Sequence, residues 1–551
     1  MKKIIFILGL AAVVLGTSCS DVLDLNPADR FSPATVWSTT TTADKYVIGL
    51  YSIFGANTEM RGGDAYASPR LSDAYSDILK STSWNQYNHN FNATLLQETA
   101  FNSNSAGAFE CWSSHYDRIR RENEFLRDAA EFGRKFGEDW LKIRIAEVRF
   151  CRAYAYFMLC RVYGGVILRT EVDGPEQNDK ARSTEEECWG FIINELKELA
   201  PDLPLKWDSD NSGRATQKAA YGLLSRVALY AEKWDVAAQA ARDCATAEGN
   251  LDLSENGYAK IFELGINSPE VLFAVEFKSS VIDHAYDAYV RPSGDTKELG
   301  KQVYSGFVPT SELVDSYEMA GDGGNFSWEK HGKDPYANRE PRFYATILYN
   351  GADWMGRKIE SFVGGKDGYK AYENAGAAGT TVTGYYLRKY LIDGDKTWVT
   401  SGSGQDWIVL RYAEVLLNKA EALAMENWNK NSAEALQALN DVRARVGLPA
   451  RATADKETFL EYVRHERKVE LAGEGFRYWD LRRWRLAEKV IDGQNVHGVK
   501  ISKQSDGSFT YEQVDADGGH KRIFYDRYYR FAIPLSERSN NSLCTNNDGW
   551  I

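Results

Sequence analysis

The chain alternates between two kinds of territory, and the spacing of its apolar residues tells them apart. Apolar positions recur every three or four residues through Phe109–Phe132, Asp139–Val162, Thr184–Leu199, Thr216–Ala231 and Trp234–Thr246. The same period returns over Ile408–Glu426, Ser432–Val446 and Phe459–Ala472. That spacing gathers apolar side chains on one helical face, so each stretch predicts a helix. Gly164-Gly165 and Gly447 predict helix stops. The second territory covers roughly 56–104 and 279–404, where Gly, Asn, Ser, Asp, Trp and Tyr are prominent and no period is sustained. Val271–Phe277 and Phe343–Leu348 predict short strands.

Two of the predicted helices form a recognisable pair. Tyr221, Leu224, Ser225 and Ala228, followed by Trp234, Ala237, Ala241 and Cys244, have the spacing of a tetratricopeptide repeat. Large residues there fill holes between antiparallel helices, and small ones let the helices approach. Leu416–Leu423 followed by Ala433–Val442 is a second, weaker match. The expected fold class is mainly α: a tetratricopeptide-like helical-repeat scaffold with long irregular loops and a few short strands. Loops of such length in a folded chain are usually functional.

The N-terminus, MKKIIFILGLAAVVLGTSC, adds an address. Lys2 and Lys3 precede an apolar run from Ile4 to Leu15, which has the length of a signal-peptide core and is too short for a membrane span. Gly16-Thr17-Ser18 then lead to Cys19, the arrangement of a bacterial lipobox. Residues 1–18 are therefore expected to be a signal peptide, with Cys19 lipidated and 19–551 forming a single domain anchored to a membrane.

Composition narrows the partners. The chain has 551 residues, 66 basic and 78 acidic. Removing residues 1–18 takes two lysines, so 64 basic residues face 78 acidic ones, for a net charge of about −14. That excess argues against nucleic acid, which seeks a basic face. Six cysteines follow Cys19, scattered and outside any CxxC, so no disulfide framework is expected.

Catalytic motifs do not emerge. GxSxG, HExxH, the phosphate-binding P-loop and a strand-linked GxGxxG are all absent, and no two of the seven histidines share a helix face at ligand spacing. Asp208-Ser209-Asp210-Asn211-Ser212-Gly213 opens like a calcium loop, but its twelfth position is Ala219, where a bidentate Glu is needed. A polar turn is the expected structure. What remains is aromatic, amide-rich loop surface, most concentrated at Ser83-Trp84-Asn85-Gln86-Tyr87-Asn88-His89-Asn90. Indole and phenol faces stack on the apolar face of a pyranose ring, and neighbouring amides bond its hydroxyls. Tyr286, Tyr289, Trp328, Trp354 and Trp398 are further loop aromatics.

The densest charged stretch is HERKVELAGEGFRYWDLRRW, His465–Trp484. Its glutamates fall four apart at Glu466, Glu470 and Glu474, and Arg477, Asp480, Arg482 and Arg483 follow Gly473 and Gly475. This reads as a structural joint rather than a ligand site. The stretch resembles the signature segment of the SusD/RagB family of outer-membrane lipoproteins. ATVWSTTTTADKYVIGLYS (34–52), IVLRYAEVLLNKAEAL (408–423), LNDVRARVGLP (439–449) and FAIPLSERSNNSLCTNNDGW (531–550) resemble other family marks in the same order. The last departs from the more usual Gln-Asn-Pro-Gly-Tyr ending.

The resemblance implies a non-enzymatic subunit that binds glycan at the cell surface. It would deliver that glycan to a SusC-like TonB-dependent transporter in the outer membrane, and no cofactor is expected. The alternatives are a peptide-binding lid of the RagB type and an exported glycoside hydrolase. Family ligand sites lie in variable loops, so the expected ligand-binding residues rest on local chemistry: Trp84, Asn85, Tyr87, Asn88, Tyr289, Trp328 and Trp354.

Overall fold

The computed structural model describes residues 32–57, 59–60, 71–82, 101–174, 179–371 and 380–550. The leader, Cys19 and the Trp84–Asn88 segment lie outside the described residues. The frame is a succession of helices, each packed on the next: α1 (Thr40–Leu50), α2 (Trp112–Phe132), α3 (Glu138–Tyr163), α4 (Glu185–Leu199), α5 (Gln217–Tyr230), α6 (Trp234–Thr246), α7 (Tyr412–Arg445) and α8 (Lys456–Glu470). α1 rests on α3, and from α2 to α8 every helix touches its successor. A short helix α9 (Arg477–Arg483) follows.

Local chemistry explains the boundaries. Thr184 Oγ1 accepts from Glu187 N–H, and the Glu187 carboxylate accepts from Thr184 N–H, which closes a capping box at the start of α4. Thr216 and Asp455 cap α5 and α8 with their side chains, accepting from Ala219 N–H and Thr458 N–H. α3 ends at Gly164, whose φ of +74° suits glycine, and a Cβ there would meet Arg530 Cδ at 2.6 Å. The last turns of α3 are buried on nearly every face, which explains an apolar run with no polar stripe. In the predicted repeat pair, Leu224, Ser225 and Ala228 of α5 and Ala237, Ala241 and Cys244 of α6 are buried as expected, with Tyr221 and Trp234 half-buried at the margin. α7 breaks at Asn427 (φ −164°, ψ 92°), where the sequence pattern also breaks.

Three expectations need correction. Residues 408–411 are not helical. They belong to strand β2 (Trp407–Arg411), which pairs antiparallel with β1 (Val271–Val275) and runs straight into α7. A short apolar run cannot by itself distinguish strand from buried helix, and here an extended partner decides. Phe343–Leu348 is mostly helix, Pro341–Thr346, because Pro341 favours a first helical turn; only Ile347-Leu348 is strand, paired with Tyr386-Leu387. The 279–404 region also holds several helices of one or two turns, so it is less irregular than its composition suggests. Asp208 makes the expected polar turn, accepting from Asn211 N–H at 3.0 Å. A hairpin of β3 (His497–Lys503) and β4 (Phe509–Asp515) docks on the loop region through Val499 N–H to Thr383 O.

Loop region and frame meet at a buried ion network. Arg411, at the end of β2, bonds Glu470 at 2.6 Å, Glu474 at 2.7 Å and Glu270 at 2.9 Å. Arg342 bonds Glu340 at 2.6 Å, Glu466 at 2.5 Å and Glu470 at 2.9 Å. Arg443 joins Glu318 to Glu466, and Arg445 joins Glu270 to Glu470. Lys389 reaches Glu474, and Arg451 reaches Glu318. The glutamates at 466, 470 and 474 thus do scaffold work, as their spacing suggested. Nearby, Asp480 takes both Arg467 and Arg483 at 2.8 Å.

Burial by itself would raise the Glu470 pKa, but Arg445, Arg411 and Arg342 hold its carboxyl well below the usual carboxylate range. Glu470→Gln is expected to lower stability by about 3–5 kcal/mol, read from urea midpoints at neutral pH, because Arg411 and Arg445 lose a counter-charge. The carboxyl is more acidic folded than unfolded, so its contribution is complete above its unfolded pKa of about 4.3. It is lost as pH falls through the lower folded value. The gap between variant and wild type should therefore narrow below about pH 4. A gap unchanged down to the acid transition would count against this account.

Candidate functional site

An aromatic surface forms where the 326–349 loops meet the β3–β4 hairpin. Trp328 opens the short helix Trp328–His331, which Ser327 caps. Its indole N–H donates to Asp315 Oδ2 at 2.9 Å, fixing the ring edge. Its ring centroid lies 5.9 Å from Tyr511 of β4. Tyr511 lies 5.9 Å from Tyr336, which lies 4.6 Å from Tyr349. Tyr349 in turn neighbours Tyr344 at 6.1 Å. Tyr336 and Phe343 are buried beneath, while Trp328, Tyr344, Tyr349 and Tyr511 keep part of their surface in water. The Arg339 guanidinium braces the layer from below, 4.2 Å from the Phe326 ring and 4.8 Å from Phe343.

The surroundings supply polar groups. Asp334 is exposed and acts electrostatically on both Tyr349 and Tyr511; Arg388 acts on Tyr349. Burial pushes the Asp315 carboxyl up to about 6, against the hydrogen bond from Trp328. Half-wet rings on a rigid backing, edged by donors and acceptors, suit a flat ligand with one apolar face and several hydroxyls.

The expected site residues fall in different places. Tyr289 is half-buried and pairs with Tyr304 at 4.7 Å on a second, smaller aromatic surface. No ring contact joins Tyr289 to Trp328 among the described residues. Trp354 is a correction: it is 0% exposed, and its indole N–H donates to Asp295 Oδ2 at 3.0 Å with Arg291 5.2 Å from the ring. It has no face for a ligand, because its loop folds back on a buried Arg–Asp cluster. Trp398 and Tyr286 are interior too: Arg291 lies 5.2 Å from the Trp398 ring, and the Tyr286 hydroxyl donates to Lys389 O. Sequence reasoning missed Tyr344, Tyr349 and Tyr511. The available sign was the density of rings in YANREPRFYATILY, 336–349.

Two neighbouring acids, Glu59 half-buried and Asp73 buried, invite a catalytic reading. Burial, with Asp73 beside it, raises Glu59 to about 8, and burial raises Asp73 to about 7. Both are committed to backbone, however. Asp73 accepts from Gly473, Gly475 and Arg477 N–H at 2.9–3.2 Å, and Glu59 accepts from Ser72 N–H and Oγ. The pair fastens the 71–77 segment to the loop after α8.

A helical-repeat frame that presents half-exposed rings on loops defines a binding scaffold. The chain belongs to the SusD family. A family model described as SusD family matches residues 269–550. A second, described as starch-binding and associating with the outer membrane, matches residues 21–229. A SusD-like protein of Bacteroides ovatus is 25% identical, with 94% of this chain and 90% of that protein covered. The crystal structure of a SusD-like protein from Bacteroides fragilis superposes with TM-score 0.80 at 27% identity, covering 94% of this chain and 99% of that one. Surface glycan-binding protein A of Bacteroides thetaiotaomicron, solved with laminarihexaose, shares the fold at TM-score 0.68 and 19% identity, over 92% of this chain and 99% of that one.

Placement separates the two tryptophans energetically. Trp354→Ala should cost about 3–5 kcal/mol by emptying a core site. Trp328→Ala, half in water, should cost less than half as much. Urea midpoints of the two variants measure the difference, and equal losses would reverse the assignment of Trp354 to core and Trp328 to surface.

Proposed function

We propose that this protein binds glycan at the cell surface and passes it to a SusC-like TonB-dependent transporter, without catalysing a reaction. The observation that carries the reading is the supported aromatic surface of Trp328, Tyr349, Tyr344 and Tyr511 on a SusD-family frame. Its rings match the apolar face of pyranose, and its polar neighbours match the hydroxyls. The proposed binding set is Trp328, Tyr344, Tyr349 and Tyr511, with Tyr289 on the second surface and Trp84, Asn85, Tyr87 and Asn88 of the amide-rich loop as further candidates. The known complex of a fold relative with laminarihexaose supports an oligosaccharide ligand. The leader and Cys19 support lipidation and an outer-membrane anchor, in line with the family description. Family membership supports delivery to the transporter.

Calorimetry on residues 20–551 tests the reading, with laminarihexaose first and then other plant, microbial and host oligosaccharides. The expected result is saturable binding without product release. Trp328→Ala or Tyr349→Ala should weaken it about tenfold, equivalent to about 1.4 kcal/mol. Binding that survives both substitutions would move the site to the Trp84 loop. Silence across the panel together with peptide binding would replace glycan by peptide, and shortened sugars would sink the non-enzymatic reading.

A further inference from the structure

A cavity on the helical frame has a different chemistry from the aromatic surface. It measures about 100 Å³ and is lined by Arg161 from the end of α3, Arg482 from α9, and Arg485 and Arg530 from the segments beyond. Glu185, Glu232, Trp479 and Arg483 share the lining; Glu232 is exposed to solvent, and Arg483 is already paired with Glu421 and Asp480. The space accommodates a small ion or a charged group.

The charges in this cavity do not cancel. Glu185 is already taken, accepting from Arg530 Nε at 2.7 Å and from the Trp189 indole at 3.1 Å. Arg485 is 61% exposed at the mouth, and its carboxylate neighbour, Asp526, stands at 3.9 Å. Arg482 is 4% exposed and spends Nη2 on Tyr529 O at 2.8 Å, while its Nε and Nη1 are buried without a partner. Arg161 Nε is likewise buried and unpartnered. Both guanidiniums stack on Trp479, at 4.1 and 4.7 Å. Stacking orients the forks but satisfies none of their N–H groups. Burial, aided by Arg530 and Arg161, depresses the Arg482 pKa to about 10.

This contrasts with the main network, where every buried arginine has a carboxylate. Buried cations of native proteins are paired, and among the described residues neither Arg161 nor Arg482 bonds a carboxylate. Several guanidiniums lining one cavity fit the oxygens of a single anion. We infer that the cavity between α3, α9 and Arg530 is a binding site for one small oxyanion of the phosphate or sulfate class, either free or as an ester group.

Thermal unfolding of residues 20–551 in phosphate or sulfate, against chloride at equal ionic strength, tests the inference. Wild type should gain melting temperature saturably in the millimolar range, as a ligand of the folded state does. Arg161→Gln should keep or raise the melting temperature in chloride, since it relieves repulsion in the empty cavity, and should lose the saturable gain. Arg485→Gln, at the exposed mouth, should fold normally and weaken the gain about tenfold. A sugar sulfate giving the same gain identifies an ester group as ligand; a gain confined to the inorganic ions identifies the free ion. A linear rise shared by wild type and both variants is general salt exclusion and would overturn the site. So would a saturable gain that both variants retain.

Discussion

Arg411 and Glu470 hold this molecule together at its most consequential point. One stands where β2 turns into α7, the other at the end of α8, and the bond between them is 2.6 Å. Around it gather five further glutamates and five further cations, drawn from segments as distant as Glu270, Glu318, Arg342, Lys389 and Arg443. Such burial is tolerable only when each charge meets its opposite, so the network accepts no partial version of itself. Its effect is positional. Glu318, Glu340 and Arg342 belong to the loop region, whereas Glu466 and Glu470 belong to the frame. The network fixes one upon the other.

The aromatic surface depends on that fixation. Arg342 and Phe343 are consecutive, so the ion network and the ring layer share one short helix, Pro341–Thr346. Arg339 on the same stretch braces Phe326 and Phe343. Loops that carry binding residues gain precision when a rigid element supports them from behind. The solved SusD-like protein of Bacteroides fragilis shares the frame across 94% of this chain.

The arginine cavity shows the same chemistry with the balance left open. The main network and the cavity both draw on the stretch 465–484, which supplies Glu466, Glu470 and Glu474 to one and Arg482 to the other. Asp480 neutralises Arg467 and Arg483 on the side facing α7, while Arg482 points the other way and finds a carbonyl in place of a carboxylate.

Much of the frame was legible in the sequence. Helices α2 to α8 announce themselves by apolar spacing, caps and glycine stops, which are local properties that tertiary context seldom reverses over long stretches. The repeat pair was legible because small and large residues alternate at fixed offsets, and the structural role of His465–Trp484 because its charges are spaced to pair. Short elements were not legible. Residues 408–411 are extended only because Val271–Val275 lies alongside. Nor was exposure: Trp328 and Trp354 are both loop tryptophans, and only the fold puts one at the surface and the other against Asp295. Local patterns determine which segments can be helices and which charges need partners. Which ring faces water, and which arginine lacks a carboxylate, depends on segments hundreds of residues apart, and the tertiary structure alone decides it.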